Sequence, residues 1–131
     1  MAAQIRIRNA TKVFRAHGRE VEALRDITFD VPAGQFACLL GPSGCGKSTL
    51  LNAVAGFSPP TSGSVEVDGK PVGGPGPDRG MVFQEYALFP WMTVEQNVAF
   101  GLDIRRMPKA EIREKVSSLL SMLHLGEFRD R

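Results

Sequence analysis

Eight consecutive residues, Gly41-Pro42-Ser43-Gly44-Cys45-Gly46-Lys47-Ser48, satisfy the spacing G-x-x-x-x-G-K-[ST] at every required position. This spacing is that of a phosphate cradle. Gly41, Gly44 and Gly46 permit turns and close approaches that a Cβ would block. Successive amides, running on through Thr49, can then face phosphate oxygens at the positive end of a following helix. Lys47 would place a point charge on the β- and γ-phosphates, and the Ser48 hydroxyl would ligate Mg²⁺. A glycine-rich turn with a solvated lysine is the plainer alternative, and the flanking elements decide between them.

A cradle needs a strand before it and a helix after it. Gln35-Phe36-Ala37-Cys38-Leu39-Leu40 is a short apolar run, which predicts a parallel strand buried on both faces. Leu50, Leu51, Val54 and Phe57 then recur at helical spacing, with Gly56 as the stop before Pro59-Pro60.

The remaining sequence sets the frame. A length of 131 residues with 43% hydrophobic and 23% charged content suits one soluble globular domain with a real core. A net charge of +2, with basic residues scattered along the chain, gives no footprint for nucleic acid. Met1-Ala2-Ala3-Gln4-Ile5-Arg6 has no apolar core of a signal peptide, and no run approaches the ~18 apolar residues of a membrane span. Cys38 and Cys45 lack metal-type spacing and fit a reducing compartment; Cys45 reads as a small tolerated residue or an accessible thiol. His17 and His124 are isolated and read as surface residues.

Ile5 and Ile7 alternate with polar residues, a polar break precedes Val13-Phe14, and Ile27, Phe29 and Val31 alternate again before Pro32-Ala33-Gly34. Arg15 to Glu20, containing Gly18, reads as a turn, so these segments predict an antiparallel sheet with one wet face. Ser64-Val65-Glu66-Val67 with Asp68-Gly69 predicts a strand entering a tight hairpin, Gly73 to Pro77 an irregular surface connector, and Met81-Val82-Phe83 a short strand ending at Gln84. Thr93 with Gln96 forms a capping-box pattern opening a helix to about Arg106. Pro108 opens a second helix with Ile112, Val116, Leu119, Leu120 and Leu123 on one face and Gly126 as its stop.

The cradle through Leu51, followed by Ala55-Gly56 and Pro60-Thr61-Ser62-Gly63, resembles the ATP-binding subunit of an ABC transporter. Val82-Phe83-Gln84-Glu85 resembles that family's Q-loop, and Leu88 to Val94 with Asn97-Val98 and Phe100-Gly101-Leu102 is similar to its importer branch. Gly74-Pro75-Gly76-Pro77-Asp78-Arg79-Gly80, with Phe89-Pro90-Trp91, is similar to the nitrate/sulfonate/taurine group.

The resemblance implies an α/β fold of the P-loop NTPase, ABC ATPase type. Residues 1–34 would form an antiparallel β region, 35–84 the P-loop core to the Q-loop, and 85–131 the start of a helical subdomain, with the core sheet incomplete. It also implies that Phe14, where the family usually has Tyr, stacks on adenine with Val21 and Ala23 at the base edge; as a lone residue Phe14 reads equally as a core aromatic. Gln84 would join Ser48 at Mg²⁺ and act with Lys47 in hydrolysis. Tyr86 to Trp91, three aromatics in six residues, reads as core or as the face toward a membrane permease.

Further implied partners are a second ATPase subunit, making a dimer in the full-length protein, and indirectly a periplasmic or lipid-anchored substrate-binding protein. The setting would be peripheral, on the cytoplasmic side of the cell membrane.

The 131 residues contain no match to the family's LSGGQ-like signature, its apolar strand ending in Asp-Glu, or its switch histidine. The chain therefore reads as the N-terminal part of one such domain, inactive alone and, with the 35–40 strand uncovered, of marginal solubility. A nucleotide-binding module without hydrolysis and another P-loop enzyme, such as a small kinase or GTPase, are the competing readings.

Overall fold

The computed structural model describes residues 4–131, so Met1–Ala3 of the Met1–Arg6 segment read as no signal peptide lie outside the described residues. The chain forms two units, one ending at Val82 and the other running from Phe83 to Arg131.

In the first unit, the alternating isoleucines open β1 (Ile5–Ala16), which pairs antiparallel with β2 (Arg19–Val31) through a two-residue turn at His17-Gly18. The strands run longer than the polar break suggested. Asn9 and Asp26 take left-handed φ values of 46° and 47°, and the register shifts between Ile7 and Ala10. The irregularity is satisfied locally: Thr28 Oγ1 accepts from the Asn9 amide at 2.8 Å and Asp26 Oδ1 from Asn9 Nδ2 at 2.6 Å. By absorbing an extra residue, the bulge keeps Ile7 and Ala10 both fully buried.

β3 (Ser62–Val67) lies on the other side of β1 and turns at Asp68-Gly69 into β4 (Lys70–Pro71), giving the antiparallel order β2-β1-β3-β4. Helix α1 (Lys47–Ala55) packs Leu50 and Ala53 against Ile7, Ala10, Leu24 and Val65. Leu51 and Phe57, expected on the same face, are each 50% exposed because Leu50 and Ala53 take the sheet-facing positions.

Two expected strands are absent. Residues 35–40 and 81–83 carry no strand pairing, and Phe36 and Leu40 are each 93% exposed, Val82 97%. Among the described residues the sheet holds only β2, β1, β3 and β4, so neither segment has a strand beside it to complete a ladder. Phe36 and Leu39 instead line a hollow of about 220 Å³ with Ile5, Phe29, Leu50 and Leu51.

The second unit holds α2 (Val94–Ile104) and α3 (Lys109–Met122). The Thr93–Gln96 capping box forms as read. On α3, Ile112, Val116 and Leu120 are buried with Ala99 of α2, each large side chain contributing roughly 1.5–3 kcal/mol. Leu119 and Leu123 are 37% and 51% exposed, outside the stripe set by spacing of four. Gly126 does not stop this helix. His124 does, at φ 56°, with the Leu125 amide donating to the Leu120 carbonyl at 2.8 Å, and Gly126 begins a short 3₁₀ turn to Phe128.

Asn97 fastens the approach to α2. Its Oδ1 accepts from the Phe89 amide at 2.8 Å, while Nδ2 donates to the carbonyls of Phe89, Met92 and Thr93 at 3.0–3.1 Å. Asn97→Ala removes the side-chain partner of the Phe89 amide and the Met92 carbonyl, while the Phe89 and Thr93 carbonyls keep backbone donors, and chemical denaturation should read a loss of about 1–3 kcal/mol. A loss under about 0.5 kcal/mol would mean that water replaces the amide without cost.

On the sheet, Arg8 clasps Asp30 with Nη1 to Oδ1 at 2.5 Å and Nη2 to Oδ2 at 2.8 Å. These hydrogen bonds hold the Asp30 carboxyl below its ordinary value. The stabilisation is therefore full above about pH 4 and fades as pH falls through the depressed value. The urea midpoint of Asp30→Asn should lie below that of the unsubstituted chain at neutral pH and converge with it in acid. A difference that stays constant to about pH 3 or lower would exclude this titration.

Candidate functional site

Between residue 40 and α1 the backbone turns at Ser43-Gly44 and enters the helix at Gly46. Gly46 is the N-cap at φ 97°, and a Cβ there would stand 2.4 Å from the Ala23 carbonyl oxygen and 3.0 Å from Leu24 Cδ2. Only a glycine fits both the backbone conformation and the approach to β2. The first helical hydrogen bond runs from the Leu50 amide to the Gly46 carbonyl at 3.0 Å. The amides of Lys47, Ser48 and Thr49 precede it, and no side chain caps this end. An anion there meets N–H donors and the positive end of the helix dipole.

Lys47 folds back over the loop. Its Nζ donates to the carbonyls of Gly41 at 2.6 Å and Pro42 at 2.7 Å, and to Cys45 Sγ at 3.5 Å. The cation is thus held at the loop rather than extended into solvent. Ser43 and Ser48 are exposed and Thr49 is half-buried in the first helical turn. Uncapped helix amides, an ammonium held at the loop and an exposed hydroxyl together are groups that can meet a polyphosphate with its metal. The exposed Ser48 hydroxyl is an oxygen of the kind that can ligate a hard cation.

Phe14 lies on β1, opposite Val21 of β2, and the two are 45% and 61% exposed. Val21 is two residues from Ala23, whose carbonyl touches the loop, which places it about 7 Å along the strand from that contact. Phe14, Val21 and the loop Gly41–Thr49 are thereby brought to one end of the first unit. Gln84 belongs to the second unit, where it sits exposed in a bend with Glu85. The aromatic stretch divides: Phe89 is half-buried, with ring centroids 4.5 Å from Phe100 and 5.5 Å from Trp91, whereas Tyr86 is 98% and Trp91 75% exposed.

Two contributors escaped the sequence reading. The Ala23 carbonyl, which seats the loop, carries no side-chain signal. Lys12, whose Nζ lies 5.3 Å from the Phe14 ring centroid, stands two residues before that ring, and the period of two was the available clue. Among the described residues no helix is long and apolar enough to cross a membrane.

Gly46→Ala adds a Cβ against the Ala23 carbonyl in a left-handed backbone. It should cost about 2–4 kcal/mol by denaturation and weaken tripolyphosphate binding in calorimetry by at least about tenfold. Unchanged affinity would show that the loop binds phosphate in another shape.

With this geometry in place, known proteins supply the comparison. The family profile described as ABC transporter matches residues 24–131. The taurine import ATP-binding protein TauB of Roseobacter denitrificans is 48% identical over 115 residues, 88% of this chain and 43% of the relative. The spermidine/putrescine import ATP-binding protein PotA of Thermobifida fusca is 46% identical over 126 residues, 94% of this chain and 33% of the relative. Among solved structures, an ATP-binding cassette in a dimeric post-hydrolysis state bound to ADP and Pi matches with a TM-score of 0.83 and 28% identity, covering 97% of this chain and 60% of that one. The chain spans less than half the length of the curated relatives first matched, 42–49%.

Proposed function

The chain belongs to the ABC transporter family, and we propose that it provides the nucleotide-holding part of an importer's ATP-binding subunit. The observation that carries the proposal is the uncapped start of α1 with the Lys47 ammonium fixed at the loop carbonyls. Gly41, Pro42, Ser43, Gly44, Cys45, Gly46, Lys47, Ser48 and Thr49 would hold the phosphates of ATP, and Phe14 would carry the base. Ser48 and Gln84 would ligate Mg²⁺, which when bound neutralises charge on the phosphates. Lys47 and Gln84 are the residues proposed to act in hydrolysis. Within one ABC ATPase domain, residues 1–34 are assigned to the antiparallel region, 35–84 to the core up to the Q-loop, and 85–131 to the helical subdomain.

Family members hydrolyse ATP, but the 131 residues hold no Asp-Glu strand to orient water and no signature to close a site across a dimer. This chain alone is therefore proposed to bind ATP without turnover. In the whole subunit the proposed partners are a permease meeting the Tyr86–Trp91 region, a second ATPase subunit and, indirectly, a substrate-binding protein. The place of action is the cytoplasmic face of the membrane.

For the cargo we propose a small anion of the nitrate, sulfonate or taurine type. The Gly74–Gly80 segment with Phe89-Pro90-Trp91 supports it, as does the taurine-importer relative. The polyamine-importer relative of nearly equal identity makes a polyamine the second reading.

Retention of labelled ATP by the full chain should be lost in Lys47→Ala with its circular dichroism unchanged, and phosphate release should equal that of the same variant. Retention that survives Lys47→Ala removes the cradle assignment; robust turnover removes the claim of inactivity. Preference for GTP over ATP would point to another P-loop enzyme.

A further inference from the structure

Lys12 is not a free surface lysine. Its Nζ donates to the Pro59 carbonyl at 2.6 Å and lies over the Phe14 ring, 5.3 Å from the centroid. The anchor itself is fixed to β1: the Thr61 amide donates to the Thr11 carbonyl at 2.8 Å, and Thr61 Oγ1 accepts from the Val13 amide at 3.0 Å. One ring face is thus backed by a held cation, while Phe14 remains 45% exposed. An ammonium over a phenyl face draws on its π-density. The opposite face then presents a less electron-rich surface, which favours offset stacking with an electron-rich heterocycle.

We propose that Lys12 is a positioning residue for nucleotide binding, pinning and polarising the Phe14 ring so that its open face selects a purine base. The inference rests on the nucleotide-binding reading above and adds a residue and a mode of base recognition to it. Lys12 touches no phosphate in this scheme. Its effect passes through the ring, which separates it from general attraction between a basic chain and an anion.

The test uses calorimetry on the full chain with magnesium ATP and with magnesium tripolyphosphate, which keeps the charge and lacks the base. Lys12→Met should weaken ATP binding about two- to fivefold, the range of an exposed cation–π contact, and leave tripolyphosphate unchanged. Lys12→Gln keeps a donor for Pro59 without the charge and should show the same pattern, weaker ATP and unchanged tripolyphosphate binding, even where Lys12→Met folds poorly. Lys12→Arg should bind ATP as the unsubstituted chain does. In a Phe14→Leu background, Lys12→Met should have no further effect.

Equal weakening of both ligands overturns the inference, as does a full Lys12 effect without the Phe14 ring. Tripolyphosphate binding as tight as that of ATP removes base stacking and this inference while the phosphate cradle stands. Binding of neither ligand overturns the functional reading and the inference together.

Discussion

The first unit depends on one close approach, the backbone of Gly46 against the carbonyl of Ala23. It is a contact between main chains, so no side chain can tune it and no residue with a Cβ can replace the glycine. The approach fixes where α1 begins relative to the β1–β2 hairpin. From that point the helix runs nine residues and sinks Leu50 and Ala53 into the sheet. Its far end is held in the same way: Gly56, at φ 88°, would drive a Cβ to 2.2 Å from the Gly74 carbonyl. The first turn carries no side-chain cap, so its leading amides are positioned by the packing of Gly46 beside them.

Elements dictated by local chemistry were legible in the sequence. The capping box at Thr93 and Gln96, the hairpin at Asp68-Gly69 and the cradle spacing each need only a few neighbouring residues. What depended on distant partners was not. Residues 35–40 have the composition of a buried strand, but composition does not supply a neighbour to complete the ladder. Likewise Gly126 looked like a helix stop, and His124 took the left-handed position two residues earlier, where the Leu125 amide closes onto the Leu120 carbonyl. The chain ends α2 in the same manner with Arg106 at φ 55°, a residue that no propensity rule would choose.

The site was readable in a similar proportion. The loop stands out in the sequence because its spacing of glycines, lysine and serine is specific. The proposal for Phe14 rests on resemblance, and the contact between Lys12 and its ring came only from the geometry. Backbone groups such as the Ala23 carbonyl are silent in any sequence, since every residue has one.

The aromatic stretch shows how hydrogen bonding sorts residues that composition cannot. Tyr86, Phe89 and Trp91 are equally apolar on paper. Asn97 binds both the amide and the carbonyl of Phe89, which fixes that residue against Phe100. With Phe89 fixed inward, Tyr86 and Trp91 are left outside at 98% and 75% exposure. Large aromatic rings so far out of the core contribute little to the unit's own stability. They suit a surface whose burial comes from a partner, where tyrosine and tryptophan gain most from being covered. The residue that sorts them is therefore Asn97: a single amide, by bonding four backbone groups, decides which aromatic joins the core and which stay exposed.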